Sequence, residues 1–405
     1  MWMRGEAGDG LIDRFLAREH GQWARVWPAG QEPLDDVTAR QAVAVVTLTA
    51  PTTAELPGLL TTVPALRGGT PGATRIRTQH MAAWLETIFP GDDQPLPDLA
   101  DQPMPKPATD PLTPLGPDLV AERLLAGTDE LGALVLAVHD HEGRTTRHLV
   151  RMLDILRSSS SREPVRSALR SLVTRRIGSL VAEAAEAPGT RLGDALNAAV
   201  TLFTADRRLA EAAAALPVRR DARLGLRALD VTLGELAVRH LRARREPLAL
   251  AWALSVLSAR LVAVGRVGEA VVAAAESADL FAAAPPYEDA AGHAEALYDL
   301  SACLLFAGES GRALRPAQEA AARYRILAEE DPRHTEQAAR AHHNLACALL
   351  EADRLYEAVA AFAASGGDPD VAANLTDILS VLPDPTPDRP AHLPQRTADR
   401  PTPLP

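Results

Sequence analysis

The sequence GRVGEA at residues 265–270 returns as GESGRA at 308–313 and as DRLYEA at 353–358, at spacings of 43 and 45 residues. In each copy an alanine- and leucine-rich run precedes the motif, and a second such run follows its final alanine. Apolar residues at helical spacing on both sides of a glycine-type turn indicate a helix, a tight turn and an antiparallel helix. Three such copies predict a stack of helical hairpins.

A leucine eight residues before each motif is followed by a small residue, as in Leu345-Ala346 of the third copy. This order of residues resembles the tetratricopeptide repeat. The third copy carries the resemblance at six positions: Leu345, Ala346, Asp353, Glu357, Ala358 and Phe362. The first two copies have Ala274 and Ala317 where the third has its aromatic residue. The resemblance implies an all-α fold, a right-handed α-solenoid of tetratricopeptide-like (TPR-like) hairpins, with an inner surface that binds a protein or peptide partner.

The period of the copies is longer than the usual unit of about 34 residues. The second copy explains the difference, since Gly311 to Glu330 has its apolar residues on one face and is predicted to form a single long helix. Asp331-Pro332 ends this helix, because proline restrains the residue before it and cannot continue the backbone hydrogen bonds. Longer helices therefore lengthen the repeat.

The composition favours helix packing and argues against several classes of protein. Apolar residues make up 47% of the 405 residues but aromatic residues only 4%, which suits closely packed helices better than a sheet-rich core. A net charge of -11 argues against a general binder of nucleic acid or of anionic membranes. Apolar runs stay far below the ~18 residues of a spanning helix. We expect a cytoplasmic protein, with Cys303 and Cys347 as reduced thiols.

Residues 1–90 are predicted to form a small helical unit of winged-helix-like size. Its first helix covers Gly10 to Trp27, with Leu11, Phe15, Trp23 and Trp27 on one face. Short acceptor side chains predict the next two starts, one at Asp35 or Asp36 and one at the capping box of Thr52 and Glu55, whose helix runs to Leu60. The fourth helix runs from about Ala73 to Phe89, with Ile76, His80, Trp84 and Ile88 on one face.

The remaining domain boundaries follow from proline content and from the repeats. Residues 91–117 are rich in proline and predict an extended linker. Residues 118–250 predict degenerate helical hairpins, with helices near 165–187, 191–214 and 223–244. Residues 251–382 hold the TPR-like repeats, at 251–293, 294–338 and 339–365, and a closing helix at Pro369 to Leu382. The tail at 383–405 contains eight prolines and is predicted to be disordered.

Four segments in order resemble the C-terminal half of the actinobacterial STAND-type (NB-ARC-like) signalling NTPases that carry tetratricopeptide arrays. The segments are 11–20, 63–66 with 84–85 and 89–90, 114–122, and the repeats with 324–328. In that family a P-loop ATPase module precedes a winged-helix-like unit, and the repeats sense a partner. The chain contains no Gly-x-x-x-x-Gly-Lys-Ser/Thr loop to hold phosphates, so ATP hydrolysis is not implied for it. The chain resembles such a regulator beginning after its ATPase core, and a separate ATPase is a possible partner.

Five residues of the second and third repeats fall on positions that line the inner groove of tetratricopeptide proteins. These candidate partner-binding residues are Tyr298, Asp299, Arg340, His343 and Asn344. A solvated face without a specific contact is the alternative interpretation. The lysine and asparagine set that clamps a C-terminal carboxylate in some such domains is absent, which disfavours binding of chaperone tails.

Only one segment resembles a metal site, namely His139-Asp140-His141-Glu142 with His148 nearby. On a helix the first two histidines would point about 200° apart, so the segment is interpreted as a polar turn between helices. The sequence shows no nucleophile beside a base and no paired catalytic carboxylates. We therefore expect no catalytic, cofactor-binding or metal-binding residues and no enzymatic activity.

Three hypotheses for function remain open. The leading one is a non-enzymatic scaffold of a signalling or regulatory system that binds a protein or peptide on the TPR-like surface. The second is a DNA-binding transcriptional regulator that uses residues of about 30–90, although nucleic acid is not the expected partner. Its basic face would comprise Arg67, Arg75, Arg77, Gln79 and His80. The third is a remnant of a larger STAND NTPase.

Overall fold

The computed structural model describes residues 6–27, 35–89, 112, 118–217, 226–285 and 289–366. Every helix or strand element within these ranges is a helix, which confirms the all-α class. None of the described helices combines the length and the apolar character needed to cross a bilayer. The predicted closing helix and the proline-rich tail lie outside the described residues, as does the predicted linker apart from Leu112.

The chain divides into two compact units, Met1–Glu288 and Asp289–Pro405. The first unit contains thirteen described helices: α1 (Glu6–Val26), α2 (Asp36–Thr49), α3 (Leu56–Leu60), α4 (Pro71–Ile88), α5 (Asp118–Ala126), α6 (Leu131–His139), α7 (Thr146–Ser158), α8 (Glu163–Glu186), α9 (Leu192–Thr201), α10 (Arg207–Ala214), α11 (Arg227–Arg244), α12 (Pro247–Ala263) and α13 (Val267–Ala283). The second contains four: α14 (Ala290–Phe306), α15 (Ser310–Glu330), α16 (Thr335–Glu351) and α17 (Leu355–Ala364). Short 3-10 turns occur at Pro64–Leu66 and Pro332–His334.

The repeat motifs coincide with the turns of three helical hairpins. Their first residues, Gly265, Gly308 and Asp353, all have left-handed backbone angles, with φ of 79°, 73° and 60°. In the second copy the Gly308 amide donates to the Leu305 carbonyl and the next amide donates to Leu304. This is the Schellman motif, which satisfies the last carbonyls of a helix. The α12/α13 hairpin belongs to the first unit, and the α14/α15 and α16/α17 hairpins belong to the second.

A fourth turn of the same kind joins α11 to α12. Arg245 has a φ of 57°, and its amide and the next one donate to Arg242 and Leu241 in the same pattern. The predicted end of a helix at residue 244 coincides with the end of α11, but the left-handed geometry of the turn is not predictable, because arginine has no preference for that region. The same type of turn therefore also occurs within residues 118–250, for which degenerate helical hairpins are predicted.

The alanine that closes each motif is fully or almost fully buried. Ala270, Ala313 and Ala358 have exposed fractions of 0%, 0% and 2%. The second and fifth positions of each motif carry opposite charges, and they form an ion pair in all three copies, with the order of signs reversed at Glu309 and Arg312. The small residue therefore lets the hairpin helices approach each other, while the charged pair lies on the outside of the first turn.

The predicted long helix of the second repeat is confirmed as α15. It extends over 21 residues and ends at Asp331, whose side chain accepts from the Arg333 amide and begins the following 3-10 turn. The predicted helix at 191–214 is two helices instead. The chain leaves α9 at Leu202, and Asp206 begins α10 by accepting hydrogen bonds from the amides of Arg208 and Leu209. The Asp206 side chain satisfies the free amides at the start of a new helix, which favours a break at this position over one continuous helix.

The helices of the N-terminal region share a core with later helices. Buried side chains of α2, α3 and α4 belong to the same apolar cluster as those of α5 to α11. Eleven of the 14 residues of α2 are buried, which means that neighbours surround this helix on all sides. Short helices of the first 90 residues cannot supply that cover, and α5, α6 and α7 pack against α2 as well. The wing of a winged helix requires strands, and residues 6–27 and 35–89 form none.

The predicted capping bonds in this region form, although α3 begins only at Leu56, and two predicted faces are only partly right. Asp35 caps α2, and Thr52 and Glu55 form the predicted reciprocal capping box. Trp84 is buried and donates to the Trp23 carbonyl at 3.1 Å. Ile76, by contrast, is 53% exposed, and Phe15 is exposed too. The turn of α4 that faces the core contains Met81, Trp84 and Leu85, so the buried stripe of this helix lies at its C-terminal half.

Candidate functional site

Two of the predicted partner-binding residues, Tyr298 of α14 and Arg340 of α16, are in direct contact. The guanidinium carbon of Arg340 lies 4.9 Å from the ring centroid of Tyr298, and its Nη2 donates to the tyrosine hydroxyl at 3.2 Å. A cation above an aromatic ring is attracted by the negative ring face. The contact therefore fixes both long side chains on neighbouring helices before any partner arrives.

Asn344 ties the same two helices together one turn further along α16. Its Nδ2 donates to the hydroxyl of Ser301 at 3.0 Å, and it lies 3.5 Å from the carbonyl oxygen of Tyr298. Ser301 is fully buried and donates in turn to the Tyr298 carbonyl at 2.8 Å. Asn344 thus holds the helices at a fixed spacing, which is a structural role that the sequence analysis did not assign to it.

Two carboxylates surround the Arg340 side chain. Burial by itself would lower the pKa of Arg340, but the hydrogen bond to Tyr298 and the charges of Tyr298, Glu295 and Asp299 raise that pKa above its ordinary value. Glu295 is 8% exposed and accepts a hydrogen bond from the Tyr324 hydroxyl of α15. Asp299 is half-buried. These neighbours keep the Arg340 guanidinium cationic.

His343 lies apart from the Tyr298 contact, toward α17. Its ring centroid is 6.4 Å from that of Phe362, and its Nε2 lies 3.8 Å from the Cys347 sulfur. Burial, and then the charge of Glu351, raise the pKa of the Cys347 thiol. A thiol is a weaker nucleophile and a weaker metal ligand than a thiolate, so this shift disfavours both roles for Cys347.

Tyr298 and Arg340 lie on one side of two helices that pack against each other, and we call this side of the two helices the α14/α16 face. It is defined by Tyr298, Ala302 and Phe306 of α14 and by Arg340, His343, Asn344 and Leu350 of α16. These residues recur every three or four positions on each helix, or at sums of those steps, and so lie on one side of it. Phe306 is 69% exposed and Leu350 is 53% exposed. The face therefore combines an ordered polar end with an exposed apolar end.

The structure also places a serine, a histidine and an aspartate side by side, so that the histidine ring contacts both of the other side chains. The sequence analysis missed this group. His139 Nδ1 lies 2.8 Å from Asp140 Oδ1, and its Nε2 lies 3.3 Å from the hydroxyl of Ser179. Ser179 is 40 residues from His139 in the sequence and on a different helix, α8. No short motif could have revealed this arrangement.

Other contacts of these three residues identify them as a structural link between α6 and α8. Arg176 binds both carboxylate oxygens of Asp140, at 2.8 and 2.6 Å, and this pairing lowers the pKa of Asp140 to about 2. The Ser179 hydroxyl lies 2.9 Å from the Arg176 carbonyl of its own helix. A helix-interior serine has its amide engaged in the helix, so the Ser179 N–H itself is not available as a donor to an oxyanion.

The predicted interpretation of residues 139–142 as a polar turn agrees with the turn that follows α6. Its His141 imidazole accepts from the amide of Gly143 at 3.0 Å. Among the described residues no three histidine, cysteine or acidic side chains are grouped so as to hold a metal ion.

Two arginines of the basic face considered for DNA binding are already hydrogen-bonded to backbone carbonyls of the same region. Arg67 donates to the carbonyls of Thr61 and Thr62, and Arg77 donates to those of Leu66 and Gly68. Both guanidinium groups thus close the loop before α4. Phosphate contacts from these two arginines would have to replace existing hydrogen bonds.

Comparison with known proteins adds no family to these observations. No protein-family model matches the chain, and no curated protein matches it.

Proposed function

We propose that this chain is a non-enzymatic interaction scaffold that binds a protein or peptide segment on the α14/α16 face. The observation that carries the proposal is the stacked Tyr298–Arg340 pair beside an exposed apolar end of the same face. Tyrosine and arginine are the residue types that most often dominate binding energy at interfaces. A side chain that is already held in place loses less conformational entropy on binding.

The two ends of the face favour a partner with mixed chemistry. Arg340 keeps donors in a planar fork that suits a carboxylate or a backbone carbonyl of the partner. Phe306 and Leu350 would bury apolar area that is now in contact with water. The TPR-like frame of the hairpins and the resemblance to STAND regulators extend the proposal to a signalling or regulatory system, in which an ATPase supplied by another chain is one class of partner.

The experiment places a bulky charge on the face without removing its contacts. Ala302 lies one helical turn after Tyr298, so Ala302→Arg obstructs the face and leaves the Tyr298–Arg340 pair intact. Ala322→Arg is the matched control, because Ala322 is an exposed alanine of α15. Leu350→Glu provides a second change at an exposed position of the face.

The full-length chain and the three variants are used as baits in cytosol of the native host, and a captured protein is then purified and titrated. We expect one protein to bind the wild type and Ala322→Arg alike, and to bind Ala302→Arg and Leu350→Glu at least about ten-fold more weakly. Melting curves verify that all four chains are folded. Equal affinity of all four for every captured protein would refute the proposed site.

A further inference from the structure

A cavity of about 330 Å³ lies within the first unit, between α8, α10, α11 and α12. One stripe of α11 faces it, with Asp230, Gly234, Ala237 and Leu241 among its residues, and one stripe of α12 completes that side. Both stripes follow the three- and four-residue spacing of a single helical face. The cavity therefore runs along one face of α11 and one face of α12.

Small side chains keep this space open. Eight of the 17 residues that line the cavity are glycine or alanine. The cavity is open to solvent on one side, because Gly178, Ala182, Pro217 and Ala249 of its lining are exposed. The volume fits the size of the smallest typical ligand pockets.

Apolar surface dominates the walls, and the charged groups lie together at one end. Asp230 is 7% exposed, and Arg260 Nη1 donates to the backbone carbonyl of Asp230 at 3.0 Å. One acidic and one basic side chain give this end no net charge. Trp252 contributes a broad wall and is held edge-to-face against Phe281, with ring centroids 5.6 Å apart.

We infer that this cavity is a binding site for an uncharged, largely apolar small molecule about the size of two aromatic rings. The size follows from comparison with a cavity of about 150 Å³, which holds one benzene ring. The lining determines the chemistry, because a charged ligand would lose its hydration without gaining a counter-charge. The site lies in a different unit from the α14/α16 face, and it is independent of the proposed scaffold function.

The test uses naphthylamine, a neutral fluorescent compound with two fused rings, and its sulfonate as a charged analogue. We expect the full-length chain to bind naphthylamine saturably and to bind the sulfonate at least about ten-fold more weakly. Bound naphthylamine should quench tryptophan emission, and this quenching should be largely lost in Trp252→Phe, which keeps an aromatic ring against Phe281.

The decisive comparison is between two alanine-to-leucine substitutions in α11, one that fills the cavity and one that does not. Ala237→Leu projects into the space, whereas Ala228→Leu lies on the opposite, exposed side of α11. We expect Ala237→Leu to weaken naphthylamine binding at least about ten-fold without lowering the melting temperature, and Ala228→Leu to leave binding unchanged. Ala253→Leu repeats the test from α12 in case Ala237→Leu does not fold.

Two results would overturn the inference. One is the absence of saturable naphthylamine binding by the wild type. The other is undiminished binding by a folded Ala237→Leu or Ala253→Leu chain, which would place the compound elsewhere.

Discussion

The side chain of Asn344 in α16 donates a hydrogen bond to the buried hydroxyl of Ser301 in α14, 43 residues earlier. Ser301 itself follows the leucine that marks the second repeat, at a position where the first repeat also has a buried serine, Ser258, and the third has Ala346. A position that must be small for packing therefore also supplies the acceptor that joins two successive repeats. This relationship links the repeat pattern to the face that we propose for binding.

Ser301→Ala should lower the free energy of unfolding by about 1 kcal/mol, because Asn344 loses its acceptor in a partly buried position. The same change should cost clearly less in an Asn344→Ala background, since the partner is then already missing. Urea denaturation of the wild type, both single variants and the double variant measures the difference. Strict additivity of the two changes would show that the hydrogen bond contributes nothing to stability.

Gly308→Ala should destabilise the second unit by roughly 1–2 kcal/mol, because alanine at this turn must adopt a left-handed backbone. No other atom lies within 4 Å of a Cβ added at Gly308, so the cost arises from the backbone alone. Gly311→Ala is the control, since Gly311 lies in the first turn of α15 and has equally open space around it. Alanine there should be neutral or stabilising by up to about 1 kcal/mol.

Thermal or urea unfolding distinguishes the two glycines. Gly308→Asp should cost less than Gly308→Ala, because the third copy already has an aspartate, Asp353, at a φ of 60° in this turn. Equal effects of alanine at both glycines would contradict the assignment of a repeated left-handed turn.

These examples show which parts of the fold the sequence could predict. Caps, turns and helical periodicity act over a few residues, so the N-cap at Asp35, the capping box at Thr52 and the ends of α15 were predictable. The left-handed backbone of Arg245 was not predictable, although the end of the helix before it was, because arginine does not favour this conformation.

The candidate site shows the same limit. Helical spacing could place Tyr298 and Arg340 on the first helices of successive repeats, but their stacking depends on how closely α14 and α16 approach. The link between Ser179 and His139 and the cavity beside Trp252 arise from helices distant in the sequence. Hydrophobic periodicity predicts which side of a helix is buried, but it does not predict which other helix packs against that side.

Asp140→Asn should reduce stability by about 0.5–1 kcal/mol, since a neutral amide cannot reproduce the two charge-assisted bonds to Arg176 across a partly exposed pair. Ser179→Ala should change stability by less than about 0.5 kcal/mol, because Ser179 is exposed and its one contact with another helix, to His139 Nε2, is long at 3.3 Å. Hydrolysis of an activated ester should be the same for the wild type and Ser179→Ala. A loss of hydrolysis in Ser179→Ala would contradict the structural role assigned to this group.

Stability should also fall as the pH drops through 6.5, the ordinary pKa of histidine. His148 is buried beside Glu55, and burial lowers its pKa although the carboxylate of Glu55 acts in the opposite direction. The folded chain therefore binds fewer protons at this site than the unfolded chain does. Its contribution is complete above pH 6.5 and is lost as the pH falls below that value. Burial lowers the pKa of His139 and His293 as well.

His148→Gln isolates this effect, because His148 occupies the capping-box position where glutamine is a usual residue. Glutamine can accept the hydrogen bond from the Thr145 amide, as the His148 Nδ1 does at 3.1 Å, but it does not titrate. We expect the free energy of unfolding of His148→Gln to change less than that of the wild type between about pH 7 and about pH 5. Asp140 titrates in a separate window, toward its pKa of about 2, and does not interfere. Parallel pH profiles for the two chains would show that His148 does not carry the acid sensitivity.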